Sequence, residues 1–266
     1  MCLTINKQWC DVPNTYGIIN KNLYELISSF VPSYYEFSRL LRDNGAILSG
    51  SSMLQVITLD EITNPSYNYS CSDMDIYVKH DQYDEIVDYF NALGYVCTFY
   101  KTKADYPKYR RIEHFDGLMI FEQSDKSIDL IISDDPINCI KHYDFSFLLN
   151  WYDGTSVKIV HPESIIRRIS YLNYRAQYIN PSRIVKYRRR GYNIVEESVS
   201  YDDFNWDDPY EIPMRSSIDL EVQFELVYSP PNMLLPFGGL MYQEAMGEFN
   251  HYVNYMDLSL EPLTIA

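Results

Sequence analysis

No run of eighteen apolar residues interrupts this 266-residue chain, so a membrane-spanning helix is not expected. Cysteine is scarce and scattered. Cys2, Cys10, Cys71, Cys97 and Cys139 are odd in number and form no C-x-x-C pair, which argues against a zinc site or a disulfide framework and fits a reducing compartment. The first residues, MCLTINKQWCDV, lack the basic-then-apolar pattern of a secretion signal. The five histidines, His80, His114, His142, His161 and His251, lack metal-ligand spacing. No serine sits in a G-x-S-x-G elbow. Positive charge is short: 22 Lys and Arg face 37 Asp and Glu, a net −15 that disfavours a protein gripping long DNA through phosphate contacts. The expectation is a soluble, cytoplasmic protein with no membrane partner.

What the chain does have is apolar and aromatic mass. Hydrophobic residues make up 46% and aromatics 15%, with 26 Tyr, enough for a sizeable core. Residues 32–44 open on Pro32 and stop at Gly45, which predicts a helix. AILSG at 46–50 reads as a strand, 51–58 as a helix opening on Gly50, and 60–71 as a loop rich in turn formers. DMDIYV at 73–78 is a second strand, His80 to Asn91 an amphipathic helix closed by Gly94, and YVCTFY at 95–100 a third strand. Residues 111–132 alternate around Ser124-Asp125-Lys126-Ser127, the pattern of an antiparallel hairpin.

Further on, a hairpin is expected at Asp153-Gly154, a helix over 162–177, a basic segment over 183–194 and a solvated acidic loop over 199–211. Residues 218–226 alternate strictly, as a half-buried strand does, and 238–256 reads as helical. The expected fold class is α/β (α+β), a small mixed sheet with helices packed on one face over residues 1–135, followed by a mixed helical and β region over 136–266.

Chemistry concentrates in Gly50-Ser51-Ser52 and Asp73-Met74-Asp75. Two carboxylates one residue apart on a strand project from the same face. Like charges about 4 Å apart cost roughly 4 kcal/mol at an effective dielectric of about 20, so such a pair asks for a cation. The glycine turn into a helix favours an anion, because its backbone N–H groups point outward and no side chain blocks approach. Asp129, centred in Ile128-Asp129-Leu130, is a third acid in an apolar strand. The bland alternative is a surface acid pair beside an ordinary cap at Ser51 or Ser52.

In this order, Gly-Ser, Asp-x-Asp and a distant third Asp, the chain resembles the DNA polymerase β-like nucleotidyltransferase superfamily over residues 32–132. The resemblance implies that Asp73, Asp75 and Asp129 ligate two Mg²⁺ (or Mn²⁺) ions and are catalytic. It also implies that Gly50, Ser51 and Ser52 hold a nucleoside triphosphate, and that Asp129 helps to activate an acceptor hydroxyl. The 22 positions from Ser51 to Asp73 exceed the family's usual gap, which implies an inserted loop at 60–71. Lys101, Lys103, Lys108, Arg110 and Arg111 precede or begin the strand beside Asp129. Lys101 and Arg111 are the candidates to neutralise departing phosphates. The run Lys186, Arg188, Arg189, Arg190 would bind nucleotide phosphate or RNA, or simply be solvated.

Phe145-Ser146-Phe147, Trp151-Tyr152-Asp153-Gly154 and Arg190-Gly191-Tyr192 are similar to segments of nucleotidyltransferase-like proteins of large DNA viruses, which implies host cytoplasm or virion as location. The function so implied is metal-dependent transfer of NMP from an NTP to a hydroxyl of a protein, an RNA end or a small molecule. The alternative is a catalytically silent nucleotidyltransferase fold used for binding or assembly.

Overall fold

The computed structural model describes residues 15–58, 71–105, 114–174 and 179–214. Helix α1 (Thr15–Phe30) and helix α2 (Tyr34–Asp43) lead into strand β1 (Ile47–Ser49) and helix α3 (Gly50–Ile57). Strand β2 (Asp73–Lys79), helix α4 (Asp84–Ala92) and strands β3 (Val96–Thr102), β4 (Phe115–Gln123) and β5 (Lys126–Ser133) follow. Then come helix α5 (Pro136–Lys141), strands β6 (Asn150–Tyr152) and β7 (Ser156–Ile159), helix α6 (Pro162–Ile166) and strand β8 (Ile169–Asn173). Helix α7 (Pro181–Arg189) and strands β9 (Asn193–Val199) and β10 (Tyr210–Pro213) complete the described order. The class is α+β, as the sequence predicts.

Local chemistry sets the helix starts. Ser33 accepts a hydrogen bond from the Glu36 N–H at 3.2 Å, capping α2. Asp135 caps α5 from the Asn138 N–H and Asn180 caps α7 from the Ser182 N–H, each with proline in the first turn, where no intrahelical N–H is needed. Eight strands form one mixed sheet in the order β10-β7-β6-β1-β2-β5-β4-β3, joining strands from both sides of residue 135. Among the described pairs of this sheet, β2 with β5 is parallel and the rest are antiparallel.

The two faces differ. On one, Phe37 of α2 meets Phe90 of α4 at 6.3 Å between centroids, and Phe90 meets Phe121 of β4 at 5.9 Å. Full burial of a phenyl ring such as Phe90 stabilises by roughly 2–3 kcal/mol. On the other, Tyr77, Leu118 and Ile131 pack with Cys139 and Ile140 of α5 and with Trp151 and Tyr201. Helices therefore cover part of both faces, beyond the one-face expectation.

Three expectations are corrected. Residues 162–177 are not one helix: α6 ends at Ile166, Arg168 takes a left-handed φ of 51°, and β8 follows. The acidic stretch 199–211 is not merely a solvated loop, since Tyr201 is buried, Trp206 stacks on Trp151 and Tyr210 opens β10. A helix absent from the reading, α1, lies before residue 32 and buries Ile19, Leu23, Leu26, Ile27 and Phe30. The strand at 218–226 and the helix at 238–256 lie outside the described residues.

The basic segment becomes the crossover of a βαβ unit: β8 and β9 pair in parallel, with α7 between them. Aromatic packing anchors it. Tyr187 of α7 contacts Phe145 at 5.1 Å and Phe147 at 4.8 Å, and Phe147 contacts Tyr192 at 4.2 Å. Truncating the fully buried Phe147 to alanine removes the hub of this cluster. Phe147→Ala is expected to lower the free energy of unfolding by about 3–5 kcal/mol in urea titrations.

Candidate active site

Because β2 and β5 run parallel in register, Asp75 and Asp129 are direct neighbours across the ladder. Adjacent strands lie about 4.8 Å apart, and Asp73 follows two residues along the same face, about 6.6 Å from Asp75. Ser49 of β1 sits opposite Asp75 on its other side. One row across the sheet thus reads Trp151, Ser49, Asp75, Asp129, Ile120, Phe99.

Gly50 closes the gap between strand and helix. Its φ is +78°, and a Cβ there would come within 2.8 Å of the Asp75 Cγ and collide with its carboxylate oxygen. Only glycine lets the first turn of α3 approach the carboxylate this closely. The helix N-terminus has no side-chain cap: Ser49 instead donates to the Asn150 carbonyl at 2.6 Å. The Ser51 hydroxyl lies 3.8 Å from the Cys71 sulfur, while Ser52 is fully buried and donates back to the Ser49 carbonyl. Ser52 therefore contributes its backbone rather than its hydroxyl to the turn.

Burial, the Asp129 charge and the Asp73 charge together push the Asp75 carboxyl up to about 7, opposed by Arg183 and Lys186. Burial and then Asp73 push Asp129 up to about 6, with a 3.5 Å contact from Ser127 opposing. Each carboxyl is thus held toward its protonated form by burial and by its acidic neighbours. Behind the carboxylates, the Tyr143 hydroxyl donates to the Tyr77 hydroxyl at 2.6 Å and also bonds Ser49.

The opposing cations come from α7. Arg183 and Lys186 act on Asp75, and Arg190 and Lys186 act on Cys71, next to the Ser51 turn. Arg183 is itself held by an ion pair with Asp144 and lies 5.7 Å over the Phe145 ring. Residues 183, 186, 187 and 190 recur at three- and four-residue spacing, the signature of one helix face. That spacing was readable in the sequence, but a charge run alone does not say which surface it meets. Lys101, by contrast, stands on edge strand β3, two strands beyond Asp129, with its ammonium 5.1 Å over the Phe99 ring. Lys108, Arg110 and Arg111 lie outside the described residues.

The donor set at the carboxylates is hard oxygen, which suits Mg²⁺ or Mn²⁺. Among the described residues, no three His, Cys, Asp or Glu side chains already converge as a ligand cluster. Magnesium is commonly held by one or two carboxylates together with substrate phosphates, so Asp73, Asp75 and Asp129 fit it as partial ligands completed by a polyphosphate. Among the described residues, no helix is long and apolar enough to cross a membrane.

The model of the family described as Gabija anti-defense 2 family protein matches residues 19–171, more than half of the chain, and the chain belongs to that family. The matched span includes Gly50, Asp73, Asp75 and Asp129 and ends before α7. No curated protein matches. Among solved structures, the chain is similar to a tRNA-processing enzyme in an apo form. Identity is 10%, the TM-score 0.41, and the match covers 61% of this chain and 43% of that one. The chain thus spans less than half the length of that enzyme, a likeness too slight to carry an argument about activity.

Two outcomes follow from this geometry. Gly50→Ala is expected to cost at least about 1–2 kcal/mol for the left-handed backbone alone and to displace Asp75, read by thermal unfolding. The raised carboxyls bind protons more tightly in the folded protein than in the unfolded chain, where aspartate titrates near about 3.9. Their contribution is therefore complete below about pH 4 and declines as pH rises through 6 and 7. Asp75 keeps a solvent-accessible edge, so the loss between about pH 5 and 8 is on the order of 1–3 kcal/mol. Urea titrations without divalent cations check this decline, which Asp75→Asn is expected to flatten.

Proposed function

We propose that this chain is a nucleotidyltransferase of the polymerase β-like kind, moving a nucleoside monophosphate from a nucleoside triphosphate to a hydroxyl acceptor with release of pyrophosphate. The observation that carries this reading is the Gly50 turn pressed against Asp75, with Asp129 beside it in register. An anion-accepting turn and a metal-accepting acid face touching each other suit a metal-bound polyphosphate better than either ligand alone.

Asp73, Asp75 and Asp129 would hold Mg²⁺ or Mn²⁺, which when bound neutralises charge on the reacting phosphate oxygens. The backbone N–H groups at Gly50 and Ser51 receive the polyphosphate. Lys186 and Arg190 oppose the charge that builds on the leaving pyrophosphate, a part the sequence gives to Lys101, which stands two strands from Asp129, and to Arg111, which lies outside the described residues. The acceptor oxygen forms its bond to the α-phosphorus as the α–β phosphoanhydride bond breaks, and the acceptor proton passes to Asp129. The family's name ties its members to countering Gabija defense, and we infer that this transfer is the means.

The silent-fold reading draws on a specific observation, the lack of a ready-made three-ligand cluster among the described residues. Incubation with labelled NTPs, Mg²⁺ and candidate acceptors separates the two. Asp75→Ala and Asp129→Ala are each expected to reduce transfer by at least about 100-fold, and Lys186→Ala to raise KM for the NTP about tenfold with a smaller effect on kcat. If the wild type neither transfers nucleotide nor binds a nonhydrolysable NTP with Mg²⁺ in calorimetry, the enzyme reading fails.

A further inference from the structure

From Ser164 to Val195 the chain has eight Lys and Arg residues and no Asp or Glu, within a protein whose net charge is −15. Folding concentrates them further. The end of α6, which carries Arg167 and Arg168, meets the end of α7, which carries Arg188, Arg189 and Arg190, through Arg168 and Arg190. The Arg168 guanidinium donates to the Arg190 carbonyl at 3.2 Å, and the Asn193 N–H donates to the Arg168 carbonyl at 2.7 Å. Arg167, Arg188 and Arg189 are exposed, and Arg167 pairs with Glu163 at 2.9 Å.

Helix α7 therefore has two cationic sides. Arg183 and Lys186 act on Asp75, whereas Arg188 is rotated about 140° from Arg183 and about 160° from Lys186, and Arg189 about 120° and about 60°, at about 100° per residue. The outward pair is no part of the nucleotide site. A basic last turn complements the helix dipole, but that role needs neither five arginines nor two chain segments brought together.

The distance to the reaction centre is fixed by α3. Tyr192, with Arg168 5.7 Å over its ring, shares a 3.1 Å hydroxyl contact with Thr58, the residue that closes α3. The Gly50 turn is at the other end of that helix, eight residues or about 12 Å away. A strand whose end lay at the carboxylates would reach the arginines within a few nucleotides.

We infer that the face carrying Arg167, Arg168, Arg188 and Arg189 binds the phosphodiester backbone of a single-stranded polynucleotide whose terminal hydroxyl is the acceptor. Guanidinium groups match phosphate oxygens in paired geometry, and a cluster of arginines is where this acidic chain least repels such a strand. The binding face stands on its own, while the placement of the strand's end rests on the nucleotidyltransferase reading.

The test is fluorescence anisotropy of the full chain with labelled single strands of RNA or DNA of about 20 nucleotides, titrated over salt without NTP. The wild type is expected to bind. The Arg188→Gln/Arg189→Gln double variant is expected to keep its unfolding temperature, lose at least about fivefold in affinity, and lower the salt slope by about 1.4, or about 0.7 per lost phosphate contact. Tighter RNA than DNA binding supports an RNA acceptor, and equal binding supports recognition by phosphate alone. Asp75→Asn is expected to bind like the wild type, so strand binding can survive failure of the enzyme reading. The inference is overturned if the wild type binds neither strand at low salt, or if the double variant matches it in affinity and slope. Polyglutamate of equal length displacing the strand with equal potency also overturns it, in favour of a face for an acidic protein.

Discussion

Three carboxylates on one sheet face repel each other, and the surrounding structure is arranged around that repulsion. Parallel pairing of β2 with β5 sets Asp75 beside Asp129, where an antiparallel pair would have reversed the order of residues along one strand. Partial burial makes the repulsion stronger, because the dielectric there is lower than in water. The compensation is asymmetric. Positive charge reaches the acids from one helix, α7, and the backbone dipole of α3 points its positive end at the same spot. The floor is acidic, the wall basic, and the turn between them is built from backbone, so charges of both signs meet at one place.

The long stretch between Ser51 and Asp73 leaves this contact intact. Ser49 pairs with Asp75 directly, so the pairing that brings the two ends together does not depend on how many residues separate them. Loop length is tolerated at modest entropic cost once the ends are fixed by a ladder. The side chains closest to the turn follow from this economy of space. Gly50 must lack a Cβ, Ser52 turns inward, and Cys71 rests against Ser51.

Much of the sheet was legible. Strands β2 and β5 show apolar alternation broken by acids, and the hairpins at Ser124–Ser127 and Asp153-Gly154 carry turn residues between alternating runs. The boundary between α6 and β8 was not, since RRISYLN contains neither glycine nor proline and the break falls on a left-handed arginine. The site's carboxylates and glycine could be read from their order, because strand periodicity fixes which face a residue takes. Its cations could be named but not placed. Lys101 is near Asp129 in sequence yet two strands away, whereas Lys186 is 57 positions further along (186 − 129) and faces the acids. The docking of α7 depends on Phe145, Phe147 and Tyr187 meeting across the chain, which no local pattern encodes.

The family match ends at residue 171, within β8, whereas α7 begins at Pro181. The acid floor and the glycine turn thus lie inside the family's shared segment, and the basic wall lies outside it. A crossover helix between two parallel strands is a self-contained insert, tied to the rest by an aromatic cluster. Exchanging it would change the charge that faces the acids without disturbing the strand pairing that holds them together.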